Sequence, residues 1–314
     1  MAPTIRKTLL AILLASAVSS LAVAADTTPE AGQAKPENSA AKDPRAPYSA
    51  ALFPLIEKTQ AALVEAMTPV ESALADELVS KSKKFLADKQ VYQRLVEMAY
   101  ERAKADDVTD APDKYAKQSL AALTASIRLT PGVMGRDALV NRAKLMSQVA
   151  KFYSKHDPSM CRYIPADFSI LMSVDAPWVA EVDDTVFTQA LDDEIDATKR
   201  MMAGSLPIGV NDSDAQLVFS KFAGEWLGGL DAETRYQIGS AKTNGNYCQL
   251  WKFMFLDFSK MAETFPSASD KVLRPMFTMM SRGWLDAGLW SYEVKAKQTM
   301  HADSEQSDES SGDN

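Results

Sequence analysis

Residues 139–153 read LVNRAKLMSQVAKFY. Leu139, Ala143, Met146, Ala150 and Tyr153 recur in steps of three and four, and polar Asn141, Lys144 and Gln148 fall between them. That period predicts an amphipathic helix with one face on a core. The same spacing recurs along nearly the whole chain, and strand-like alternation almost nowhere. The sequence therefore reads as all-α: an irregular multi-helix bundle or helical array of roughly nine to eleven helices in a single domain.

Toward the N-terminus, Asp113 to Leu129 forms the preceding helix, with Leu120 and Leu123 inside and Thr130-Pro131-Gly132 as its stop. Val91, Leu95, Met98 and Ala99 mark another helix, ended by Asp106-Asp107, and Leu74, Leu78, Phe85 and Leu86 mark one before it. Ala50 to Met67 is rich in Ala and Leu, with Glu57, Lys58 and Glu65 interspersed, and Thr68-Pro69 closes it.

Toward the C-terminus the pattern first weakens. Pro158, Pro165 and Pro177 interrupt short apolar pieces between Asp157 and Trp178, which predicts one or two short helices joined by turns. Thr185 to Met202 is helical, closed by Gly204 and Pro207, and Asp212-Ser213 caps a helix that Gly228-Gly229 ends. A short helix follows Asp231, with a turn expected at Thr243-Asn244-Gly245. Tyr247, Leu250, Trp251, Met254, Phe255, Phe258 and Met261 then form a stripe, with Phe253 and Leu256 on other faces, so this helix should be central. A last helix begins near Ser269 and ends before His301.

The ends read differently. Arg6 and Lys7, the apolar stretch Leu9 to Val18 and the small residues Ala22-Val23-Ala24 have the three parts of a secretory signal, which assigns residues 1–24 to a signal peptide. Residues 25–47 are an Ala- and Pro-rich leader, and 301–314 an acidic, Ser-rich tail; neither carries the apolar residues needed to offset ordering entropy. The helical domain is expected over 48–300. No apolar run is long and continuous enough for a membrane anchor. The expected location is the bacterial periplasm, or secretion beyond it.

Two cysteines, Cys161 and Cys248, are the whole complement, and in an oxidising compartment they are expected to close on each other. A formal net charge of -8 argues against a nucleic-acid partner, because neutralising phosphates takes clustered Lys and Arg.

Little catalytic equipment is legible. His301 lies in the tail, which leaves His156 as the imidazole of the domain; beside Asp157-Pro158 it reads as a helix-end residue. No G-x-S-x-G elbow accompanies it. Asp192, Asp193 and Asp196 match a D-D-x-x-D magnesium spacing, but a buried stripe of Phe187, Leu191, Ile195 and Met202 would turn them to solvent, with Asp196 free to pair with Lys199 or Arg200. Glu194 lies nearer the apolar edge and is the odd residue of that segment. Ser80 and Lys83 have S-x-x-K spacing without the later motifs, and Asn211 to Asp214 reads as helix capping rather than a calcium loop. No metal or cofactor site is assigned.

The methionines and tryptophans leave one further option. Trp251, Met276, Met280, Trp284 and Trp290 are candidates to line a groove for a small apolar ligand or a partner helix, although aromatic and thioether side chains serve equally as core filling. With the catalytic sets missing, the sequence favours a non-enzymatic exported protein that binds another exported protein. The alternatives are a carrier of a small apolar ligand, or a hydrolase whose only testable general base is His156.

Overall fold

The computed structural model describes residues 43–164, 170–171, 176–205, 221, 224–226, 228–239, 244–265 and 269–281. The assigned signal peptide, the leader up to residue 42 and the acidic tail lie outside the described residues, as does the cap expected at Asp212-Ser213.

The fold is all-α. Nine α-helices stand among the described residues, and no strand does: α1 Ala46–Met67, α2 Ala73–Leu86, α3 Lys89–Ala105, α4 Pro112–Arg128, α5 Arg136–His156, α6 Asp184–Met202, α7 Ala232–Gly239, α8 Asn244–Thr264 and α9 Arg274–Ser281. Short 3-10 turns at Thr130–Gly132, Pro158–Tyr163 and Pro177–Ala180 join them, and a π-helical turn at Ser269–Leu273 leads into α9. No described helix is long and apolar enough to cross a membrane.

The caps explain the boundaries. Asp88 accepts from the backbone N–H of Gln90 and Val91 and so opens α3, and Asp183 accepts from Val186 N–H and opens α6. Ser72 does the same for α2 through Leu74 N–H. Pro47 sits in the first turn of α1, where a missing N–H costs nothing, so the helix starts at Ala46. Asn244 and Gly245 open α8 instead of forming a turn before it. Between Asp157 and Ala180 the prolines at 158 and 177 start 3-10 turns, consistent with the weak periodicity there.

The centre is α5 packed along α8. Leu139, Ala143, Met146 and Ala150 are buried as their spacing requires, and so are Val140, Leu145 and Val149, so α5 is enclosed on most of its circumference. From α8, Trp251, Met254, Phe255 and Phe258 fill the same core, with Trp251 stacked on Phe255 and Phe255 on Phe277 of α9. Cys161, in the turn after α5, is bonded to Cys248 of α8, with 5.0 Å between their Cα atoms. Around this pair, α1 to α4 form a second set of packed helices that α6 joins to it.

Candidate functional site

Two places break the usual distribution of polar and apolar residues. One is a polar cluster inside the core. Arg142 and Glu194 are buried, 4% and 0% exposed, with Arg142 Nη1 donating to Glu194 Oε1 at 3.0 Å. The other oxygen of Glu194 accepts from the backbone N–H groups of Ile170 and Leu171, both at 2.8 Å. Thr130 accepts a longer bond from Arg142 and donates to Ile127 O, and the Phe277 ring lies 5.5 Å from the guanidinium carbon. One residue earlier on each helix, Asn141 donates to Asp193 at 2.9 Å.

These are residue types that catalysis uses, but every oxygen of Glu194 is committed to a protein donor. An acid or base must reach a substrate proton, and this one is sealed. The cluster instead ties α5, α6, the 130–132 turn and the 170–171 segment together. A second buried arginine closes the same joint from the C-terminal side: Arg274 donates to Pro131 O at 2.7 Å and pairs with Asp270.

This corrects the expected face of α6. The buried side is made by Phe187, Ala190, Leu191, Glu194, Ala197, Thr198 and Met202, with Ile195 only partly buried. Asp193 therefore turns half inward, where burial raises its carboxyl above the ordinary range against the Asn141 hydrogen bond, and Asp196, Asp192 and Asp137 add to the rise. Asp192 reaches Lys81 of α2 at 2.6 Å, and Lys199 reaches Asp88 of α3 at 2.7 Å rather than Asp196. The three aspartates thus diverge, and among the described residues no group of three His, Cys, Asp or Glu side chains is placed to hold a metal ion.

His156 ends α5, its ring tilted against Phe152, with Nε2 2.5 Å from Glu181 Oε1. Lys155, first, and His156 hold the Glu181 carboxyl below its usual range. Of the groove candidates, Trp251 and Met276 are wholly buried in the core between α5, α8 and α9. Only the helical backbone of Met280 is described, and Trp284 and Trp290 lie outside the described residues.

The second place is on the surface, and the sequence reading did not single it out. The inner face of α1 is ordinary: Tyr48, Ala51, Leu52, Ile56, Leu63 and Met67 are buried. The outer face carries Ala46, Ala50, Phe53, Pro54, Ala61 and Val64, all exposed, with Glu57 as the one charge along its midline. Phe53 is 56% and Val64 37% exposed. The neighbouring helices show what a solvated face looks like, with Asp76, Ser80, Lys83 and Lys84 outward on α2 and Lys89, Gln93, Glu101 and Arg102 on α3. A helix apolar on both faces is ordinarily a buried one.

The signal for this stripe was present: only Glu57, Lys58 and Glu65 are charged in the whole of α1. Lys58 and Glu65 are exposed on one flank of the stripe, and among the described residues neither makes an ion pair. Pro54 adds a backbone feature, since it cannot donate to the carbonyl of Ala50 one turn earlier, on the same outward face.

No family model matches this chain, and neither a curated protein nor a solved structure matches it at a significant level.

Proposed function

We propose that this is an exported protein, of the periplasm or released beyond it, that works by binding a protein of the same compartment through the outward face of α1. The observation that carries the reading is the apolar stripe itself, with Phe53 more than half exposed on a helix whose other face is already buried. Exposed apolar surface of this continuity is disfavoured in water unless a partner covers it. Export is supported by the Arg6-Lys7, apolar and small-residue order of the N-terminus, and the Cys161–Cys248 bond suits an oxidising compartment.

The test uses the full-length gene expressed in a bacterium, with a photo-crosslinking amino acid at position 53 or, as a control, at Ser80 of α2. The expected result is a discrete protein adduct from position 53, absent from the control and lost when Ala61→Arg is added. The mass of the processed chain, from the same preparation, should begin at Ala25. Absence of any adduct at position 53 from a folded protein would sink the docking reading. A chain retaining residues 1–24 in the cytoplasm would sink the exported one.

A further inference from the structure

We infer that the occupant of the α1 face is a second copy of this chain, paired antiparallel about a two-fold axis beside Ala61; the inference rests on the reading of that face as a docking surface. An α-helix turns about 100° per residue, so Lys58 and Glu65, two turns apart, lie on the same flank of the stripe. When two copies of one helix are related by a two-fold axis perpendicular to them, a flank meets the same flank with its order reversed. An axis level with the midpoint of Lys58 and Glu65 brings Lys58 of one copy opposite Glu65 of the other, and the reverse. Two equivalent ion pairs form from charges that have none among the described residues of the monomer.

That same level falls between Ala61 and Ala62. Small side chains at a crossing point let helix axes approach to the lower end of their usual separation, about 8 Å. Val64 then lies near the axis on both sides, and Phe53 reaches past it toward exposed Thr68 and Pro69 of the second copy. The two copies of Glu57 sit on opposite sides of the axis, about two and a half turns apart, and do not oppose each other. A parallel two-fold loses both ion pairs, because it sets the flank carrying Lys58 and Glu65 against the opposite flank of the second copy.

The helix is about 33 Å long at 1.5 Å per residue, and a face about 10 Å wide gives a footprint of roughly 330 Å² per copy, below standard specific interfaces and in the range of weak, transient ones. The pairing is therefore reversible and concentration-dependent. The processed protein, disulfide intact, should sediment as a monomer–dimer equilibrium over a wide range of concentration. Lys58→Glu should weaken dimerisation at least tenfold by facing two glutamates with Glu65 of the other copy. Adding Glu65→Lys to it should restore the wild-type constant, which a purely structural lysine would not allow. Circular dichroism of each variant establishes that it folds.

A protein that stays monomeric throughout, or a double charge reversal that fails to rescue a folded single variant, overturns self-pairing. The crosslink separates this failure from that of the parent reading. An adduct from position 53 with the mass of two chains supports the dimer. An adduct with any other protein overturns it while the docking face stands, and no adduct removes both.

Discussion

The core cluster around Arg142 and Glu194 and the outer stripe of α1 are inversions of the same rule, one placing charge where apolar residues belong and the other the reverse. They differ in completeness. Inside, both carboxylate oxygens of Glu194 meet donors supplied by the fold, so that charge is satisfied within one chain. Outside, the apolar atoms and the flanking Lys58 and Glu65 have no counterpart within the monomer among the described residues. Closure marks a structural device, and lack of closure marks a place where something else must act. Substitutions at the two places should consequently separate stability from association.

The largest effect on stability belongs to the bond that fastens the core around α5. Cys161 and Cys248 are 87 residues apart in sequence, and in the chain-entropy treatment a loop of that length restrains the unfolded chain by about 4 to 5 kcal/mol. A Cys161→Ser, Cys248→Ser variant should lose about that much in urea unfolding. Dimerisation of whatever fraction stays folded should be unchanged, because α1 lies away from the bond.

Next comes Glu194→Ala. It strands a buried guanidinium and two backbone N–H groups, a combination expected to cost ~3–5 kcal/mol. Combining it with Arg142→Met should cost less than the sum of the two single losses, since the uncompensated charge is then gone. Strict additivity in that cycle would show that Glu194 acts on the 170–171 segment alone. In that case the ion pair contributes nothing to the joint.

Asp193, beside the cluster, tests the same closure more gently. Burial raises its carboxyl in the folded protein. A carboxyl with a raised folded value penalises folding where it is ionised, at pH above that value, and the penalty fades as pH falls through it and on below the unfolded value. Asp193→Asn keeps an oxygen for Asn141 and should stabilise the protein at neutral pH by a few tenths to ~1 kcal/mol. The advantage should vanish in acid. An advantage independent of pH would place its origin in packing instead.

How far these places were legible follows from what each depends on. The helical class and the central position of α8 came through because a period of 3.6 is a local property, repeated over many turns. The pairing of Cys161 with Cys248 was legible because only one partner existed. Glu194 drew notice as the odd residue of its segment, yet its burial needed knowledge of Arg142 and of the 170–171 backbone, which arrive from other parts of the chain. The stripe on α1 was missed for a related reason. Where both faces of a helix are apolar, periodicity cannot say which is covered, and only the placement of α2, α3 and α4 against the Leu52 side exposes Phe53. The scarcity of charge in α1 was the usable signal, because three charged residues in a surface helix of that length cannot solvate its outer face.

The smallest expected effect is the most discriminating. Leu52 is fully buried and its neighbour Phe53 is 56% exposed, so the two sit on opposite sides of the same helix turn. Phe53→Ser removes an aromatic ring that contributes little to the monomer core, and thermal unfolding of the dilute protein should change by no more than about 0.5 kcal/mol. At concentrations where wild type is dimeric, the same substitution should lower the unfolding midpoint, because association stabilises only the folded state by mass action. Leu52→Ala should lower the midpoint equally at every concentration. If Phe53→Ser behaves like Leu52→Ala, the ring belongs to the fold, and the difference between the closed cluster and the open stripe disappears.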